Sequence, residues 1–200
     1  MKRPVVENKV AAALKNLKEG SILFVDDFLD YGNVESIKKS LLRLKEKGVL
    51  IRLAHGIYLY PKTDNELGVL YPSVEEIAAA IARRDKARIV PTGIQALNKL
   101  GLSTQIPLKA VYLTDGAARI VKIGNRTITF KKASPKNLMA KGKLSGLVIQ
   151  ALKSMGKDNL GEEMLIRIEH ILKKEKKENI MHDAKLAPGW INKILMSTIK

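Results

Sequence analysis

Apolar residues at Val6, Val10, Ala13, Leu14 and Leu17 recur at helical spacing, and Glu19-Gly20 closes the run, predicting a first helix over 6–17. The short apolar stretch Ile22 to Val25 follows, and then a turn-length helix from about Asp26 to Asp30, whose acidic residues suit a helix start; Gly32 breaks it. Asn33 is a good N-cap for the next helix. At about 100° per residue, Val34, Ile37, Leu41 and Leu44 fall within a sector of about 80° and are expected to face a core. Ser36, Lys39, Ser40, Arg43 and Lys47 fall on the opposite side, giving a small-plus-basic face, and Gly48 ends the helix.

"VLIRL" and "IYLYP" are β-branched and aromatic runs around Ala54-His55-Gly56, which predicts a hairpin in which the glycine supplies a positive φ. Helix, short helix, helix, hairpin is the order of a winged helix-turn-helix. The third helix would then read the major groove and the hairpin would grip the neighbouring backbone. This makes Ser36, Lys39, Ser40, Arg43 and Lys47 candidate DNA contacts on the helix, with Arg52 and His55 on the wing.

Residues 63–73, rich in turn formers, predict a linker between this domain (1–62) and a second one (74–200). The second part opens with a helix from Val74 to Asp85 behind a capping box of Ser73 and Glu76. A brief strand and a helix from Thr92 to Leu100 follow, then strands at 110–114, 119–123 and 127–132, with a Gly124-Asn125 turn between the last two. From Leu144 the pattern is helical again: 144–155, 161–177 and a last helix after Pro188. The fold class expected is α+β: a winged helix followed by a mixed α/β domain with a small antiparallel sheet and C-terminal helices.

Charge sharpens this picture. The 200 residues include 36 Lys and Arg against 20 Asp and Glu, a formal +16. The excess is +5, +6 and +5 in the thirds ending at Lys62, Ala140 and the C-terminus, so it does not sit in one tail. A polyanionic partner such as nucleic acid is favoured, and more than one folded part can carry a positive face. Arg83, Arg84, Lys86 and Arg88 form a candidate second basic surface, whereas "KKEKK" at 173–177 reads as a solvated helix face.

Catalytic chemistry finds little support. No phosphate-cradling glycine loop occurs, and His55, His170 and His182 lack ligand spacing, so neither a cofactor nor a metal is expected. The Asp26-Asp27 pair is explained by helix capping, and Trp190 by packing. Cysteine is absent and no apolar run approaches the length of a membrane span; the Met1-Lys2-Arg3 start is followed by Glu7, Lys9 and Lys15, unlike a signal peptide. These features predict a cytoplasmic, non-enzymatic protein without membrane partners. A regulator whose second domain senses a ligand and a nucleic-acid-acting enzyme stay open as alternatives.

With "RLAHGIYLYPK", "PTGIQALNKLGLSTQIP" and "AVYLTDGAARIVKIGNRTITF" in this order over about Ile37 to Lys132, the chain resembles the AbiEi antitoxin family of type IV toxin–antitoxin systems. "LAPGWI" at 186–191 is similar to some shorter members. The resemblance implies an antitoxin whose N-terminal domain represses its own operon at inverted repeats in double-stranded DNA. It further implies that the C-terminal part antagonises a nucleotidyltransferase-type toxin without a stable complex. It assigns no neutralising residues.

Overall fold

The structure is a computed structural model that describes residues 6–105 and 107–199. The Met1-Lys2-Arg3 start and Ile106 of the 91–107 segment lie outside the described residues. The fold is α+β, with small sheets and C-terminal helices. The chain divides into two compact units, Met1–Ala80 with Lys122–Gly124, and Ile81–Val121 with Asn125–Lys200.

In the first unit, α1 (Val6–Leu14) leads to β1 (Ile22–Phe24), a 3-10 helix (Val25–Tyr31), α2 (Val34–Glu46), and the hairpin β2 (Ile51–Ala54) and β3 (Ile57–Leu59). The Asp27 carboxylate accepts the Phe24 N–H at 2.7 Å, so the acidic pair starts a helix as expected. The strand β1 does not stand alone. It pairs antiparallel with β3, giving a three-stranded sheet of order β1-β3-β2. Val10, Leu14, Phe28, Ile37, Leu41, Leu44, Leu50 and Tyr58 close one core between these elements. Val34, expected in that core, is instead 44% exposed, because it stands at the first position of α2, beyond the last turn that the core covers.

Residues 63–73 carry a small hairpin of their own, β4 (Thr63–Asp64) and β5 (Gly68–Val69). In α3 (Val74–Arg84) the capping box forms as read: Glu76 accepts the Ser73 N–H at 2.7 Å and Ser73 Oγ accepts the Glu76 N–H at 3.1 Å.

The larger sheet contains β6 (Ile89–Pro91), β7 (Lys109–Thr114), β8 (Arg119–Ile123) and β9 (Arg126–Lys132) in the order β6-β7-β9-β8, with α4 (Ile94–Lys99) between β6 and β7. The strands β6 and β7 are antiparallel, but β7 and β9 pair in parallel, so the sheet is mixed where a purely antiparallel one was expected. A parallel pair needs a long crossover. Here β8 provides it: it runs back beyond β9, and the two-residue turn Gly124-Asn125 inserts β9 between β8 and β7.

Helices α5 (Lys143–Met155), α6 (Glu162–Leu172), α7 (Lys177–Ala184) and α8 (Gly189–Ser197) complete the second unit. Val148, Leu152, Ile168, Leu172, Ile180, Ile191 and Leu195 form their core, and Trp190 packs on it as an anchor. The helix expected over 161–177 ends early, at Leu172, and a separate helix, α7, starts at Lys177. Glu175 stands between them: its carboxylate accepts the Lys176 N–H at 3.1 Å and the Asn179 side-chain amide at 3.0 Å, at the start of α7.

Candidate nucleic-acid interface

Asn33 starts α2 by accepting the Ser36 N–H at 2.9 Å, while Ser36 Oγ donates to the Asn33 carbonyl at 2.8 Å. One turn on, Ser40 Oγ donates to the Ser36 carbonyl at 2.8 Å and the residue is 3% exposed. Ser40 was expected on the outward face. It lies inward, because its hydroxyl satisfies itself on the helix's own backbone and is small enough for the core stripe.

The buried positions of α2 are therefore Ile37, Ser40, Leu41 and Leu44. At about 100° per residue this turns the outward face toward Glu35, Leu42 and Glu46, flanked by Lys38, Lys39 and Lys45. Lys39 and Arg43 stay exposed, as does Lys47 at the helix end. Lys38, Leu42 and Lys45 were missed; treating Ser40 as a core position would have found them.

Two of the basic groups are already engaged. Glu7 of α1, 8% exposed, binds Lys47 and, at 3.5 Å, the Arg43 guanidinium. The Lys47 hydrogen bond, helped by both positive charges and only partly opposed by desolvation, holds the Glu7 carboxyl below its ordinary range. At the hairpin tip Arg52 Nη2 donates to His55 Nδ1 at 3.1 Å and its Nε to the Ala54 carbonyl at 3.4 Å. Both side chains are exposed, and Gly56 makes the turn at φ 69°.

The expected second basic surface is divided. Arg84 binds Asp85 at 2.9 Å, and Asp85 also binds Arg119, whose cation lies 5.5 Å from the centre of the Phe130 ring. Burial, then the Arg84 charge, pull Arg119 below the ordinary arginine value. Arg83, Lys86 and Arg88 remain exposed around this group.

The most heavily hydrogen-bonded carboxylates lie elsewhere. Asp183, fully buried, accepts the Lys141 and Gly142 N–H groups at 2.8 and 2.9 Å and the Ser145 hydroxyl at 2.6 Å; it also pairs with His182 at 2.8 Å. Glu175 adds the Leu144 N–H at 2.9 Å. Together they occupy the N-terminus of α5, and a methyl on Gly142 would overlap Ser145 and Glu175. The signal for Asp183 was there: a charged residue on the apolar stripe of Ile180 and Ala184. Beside this clamp, Lys99, Lys141 and Lys143 border a cleft of about 310 Å³ floored by Val90, Pro91 and Leu147. Among the described residues, no group of three or more His, Cys, Asp or Glu is assembled that could hold a metal ion.

The chain belongs to a family of unknown function (DUF6088), which it matches over residues 9–180. None of the curated proteins matches it. Among solved structures it is similar to the RV2827C protein from Mycobacterium tuberculosis, at 11% identity and a TM-score of 0.49, covering 98% of this chain and 82% of that one.

Proposed function

We propose that the chain is a DNA-binding antitoxin of the type IV kind, AbiEi-like, which represses its own operon and antagonises a nucleotidyltransferase-type toxin without a stable complex. The observation that carries the DNA-binding half is the order α1, β1, 3-10 helix, α2, β2, β3 with β1 paired into the sheet β1-β3-β2. We read that order as a winged helix-turn-helix, in which α2 would enter the major groove and the β2–β3 hairpin would reach the adjacent phosphates. Exposed Lys38, Lys39 and Lys45 on α2, and Arg52 on the hairpin with His55 beside it, supply charge and polar groups where this docking needs them. No described helix is long and apolar enough to cross a membrane, in keeping with a cytoplasmic repressor.

The test is affinity for the DNA upstream of the protein's own gene against a shuffled duplex, across a salt series, because a +16 protein holds any DNA at low salt. A preference that persists near physiological salt supports the reading. Equal binding that vanishes with salt for both duplexes removes it. The toxin half is tested by co-expression with a nucleotidyltransferase encoded beside the gene: rescued growth supports it, and unrelieved toxicity at matched expression argues against it.

The cleft bordered by Lys99, Lys141 and Lys143 favours a second reading, a regulator whose second unit binds a small anion. Operator affinity that changes with an added phosphorylated metabolite would support that alternative.

A further inference from the structure

Along α2, two apolar side chains stand exposed beside charged ones: Leu42 at 43% exposure on the outward face and Val34 at 44% at its edge, next to the core stripe. At about 100° per residue they fall, with Lys38 and Lys45, inside an arc of about 80°, so they form one ridge rather than scattered positions. Neither belongs to the core, which Ile37, Leu41 and Leu44 close: Val34 borders that stripe, about 20° round the helix from Leu41, and Leu42 faces away from it. Within the ridge the Lys38 ammonium is turned onto Glu35 at 3.1 Å, leaving the apolar groups on either side uncovered by that pair.

We infer that this ridge reads the C5-methyl groups of thymines in the major groove, with Val34 and Leu42 as the specificity-determining contacts. The inference rests on the DNA-binding reading and adds to it the chemistry that is recognised. The thymine methyl is the apolar feature that base pairs present in the major groove, and aliphatic side chains recognise it. Val34 is the first residue of the helix, and recognition helices present their N-terminal residues to base edges. Eight residues of helix rise about 12 Å, the length of three to four base-pair steps. The pattern expected is therefore two thymines three or four base pairs apart in each half-site. Charge fits the same occupant: Lys38 and Lys45 stand within the ridge, and Lys39 and Arg43 lie beyond Leu42, where a strand that borders a groove passes. Glu35 and Glu46, on the same outward side, disfavour simple stacking of the ridge against phosphates.

Uracil lacks the methyl and keeps thymine's hydrogen-bonding groups, so it isolates the contact. Affinity is measured near physiological salt for the upstream duplex, for the same duplex with deoxyuridine replacing thymine, and for a shuffled duplex. Wild type and Val34→Ala/Leu42→Ala are compared; both side chains are half exposed, and matching thermal melts confirm that the variant is folded. The wild type should lose about fourfold per contacted methyl on the deoxyuridine duplex, the factor for one buried carbon group. The variant should show that loss already on thymine DNA and no further loss on deoxyuridine DNA. Equal wild-type affinity for the thymine and deoxyuridine duplexes, with the shuffled one still rejected, overturns the methyl assignment and leaves operator binding standing. No preference for the upstream duplex in the wild type removes both.

Discussion

Glu7 in the first unit and Asp183 in the second are both buried carboxylates, and their surroundings differ in kind. Glu7 lies at a rim, its partners are the long side chains of Arg43 and Lys47, and both of these are more than half exposed. Asp183 is wholly enclosed, and its partners are two backbone N–H groups, a buried hydroxyl and a histidine. Flexible cations at a surface can exchange one anion for another with little rearrangement, whereas backbone donors cannot leave without moving the chain. The first unit therefore holds its charge exchangeable at the surface, and the second uses charge to fix a loop on a helix.

The largest effect expected from this contrast is on stability. Asp183→Ala leaves two backbone donors and the Ser145 hydroxyl buried without their acceptor, which should cost about 3 kcal/mol. Urea unfolding followed by circular dichroism measures it. A loss under about 1 kcal/mol would mean that water replaces the carboxylate and that the two units are alike after all.

Acid should act on the same clamp. Burial pushes the Asp183 carboxyl up, but hydrogen bonds from His182, Ser145, Lys141 and Gly142 outweigh it and hold the group below its ordinary value. Glu175 is also lowered: burial raises it, and Asn179 together with the backbone N–H groups of Leu144, Lys176 and Ser145 more than compensates. Groups depressed in the folded state contribute stability that is present above the unfolded pKa and is lost as pH falls through the folded value. Stability should thus decline below about pH 4, and Asp183→Asn should flatten part of that decline. An unchanged acid limb in this variant would show that Asp183 is not a source of it.

The two units also differ in how far sequence reached. In the first, contacts are local and periodic, so the helices, the hairpin and the Asp27 cap were legible; Ser40 misled because a hydroxyl satisfied on its own helix looks polar in a wheel. The pairing of β1 with β3 joins residues more than thirty positions apart, and nothing in "SILF" announces it. In the second unit the apolar runs marked strands and helices, but the parallel β7–β9 pair depends on a strand beyond β8, and the early end of α6 goes with a Glu175 carboxylate held by the distant Leu144 N–H. Of the candidate interface, the basic residues were legible and its orientation was not, because one misplaced core position rotates the whole face.

A smaller effect separates the outward face of α2 from the rest of the positive surface. Lys39→Ala should weaken operator binding by about 1 kcal/mol and reduce the slope of log affinity against log salt by about one if the lysine meets a phosphate. Lys177→Ala, an exposed charge on α7, should change neither. Equal losses from both, measured by fluorescence anisotropy, would mean that binding follows net charge rather than a defined face.

The smallest effect tests whether the rim carboxylate restrains cations that the proposed reading brings to DNA. Glu7→Gln removes the charge that Arg43 and Lys47 share while keeping the shape of the side chain. With both cations released, affinity for any duplex at low salt should rise about twofold to fivefold and the salt slope should steepen by up to about two, since each additional phosphate contact displaces about one counterion. The gain should be similar for operator and shuffled DNA, so that the ratio between the two affinities stays that of the wild type. Unchanged affinity and slope would place Arg43 and Lys47 outside the contact, confining the α2 part of the interface to Val34, Lys38, Lys39, Leu42 and Lys45. That narrower result would leave Glu7 with a structural role, tying α1 to the end of α2, and would bring the rim carboxylate closer to its buried counterpart than their exposures suggest.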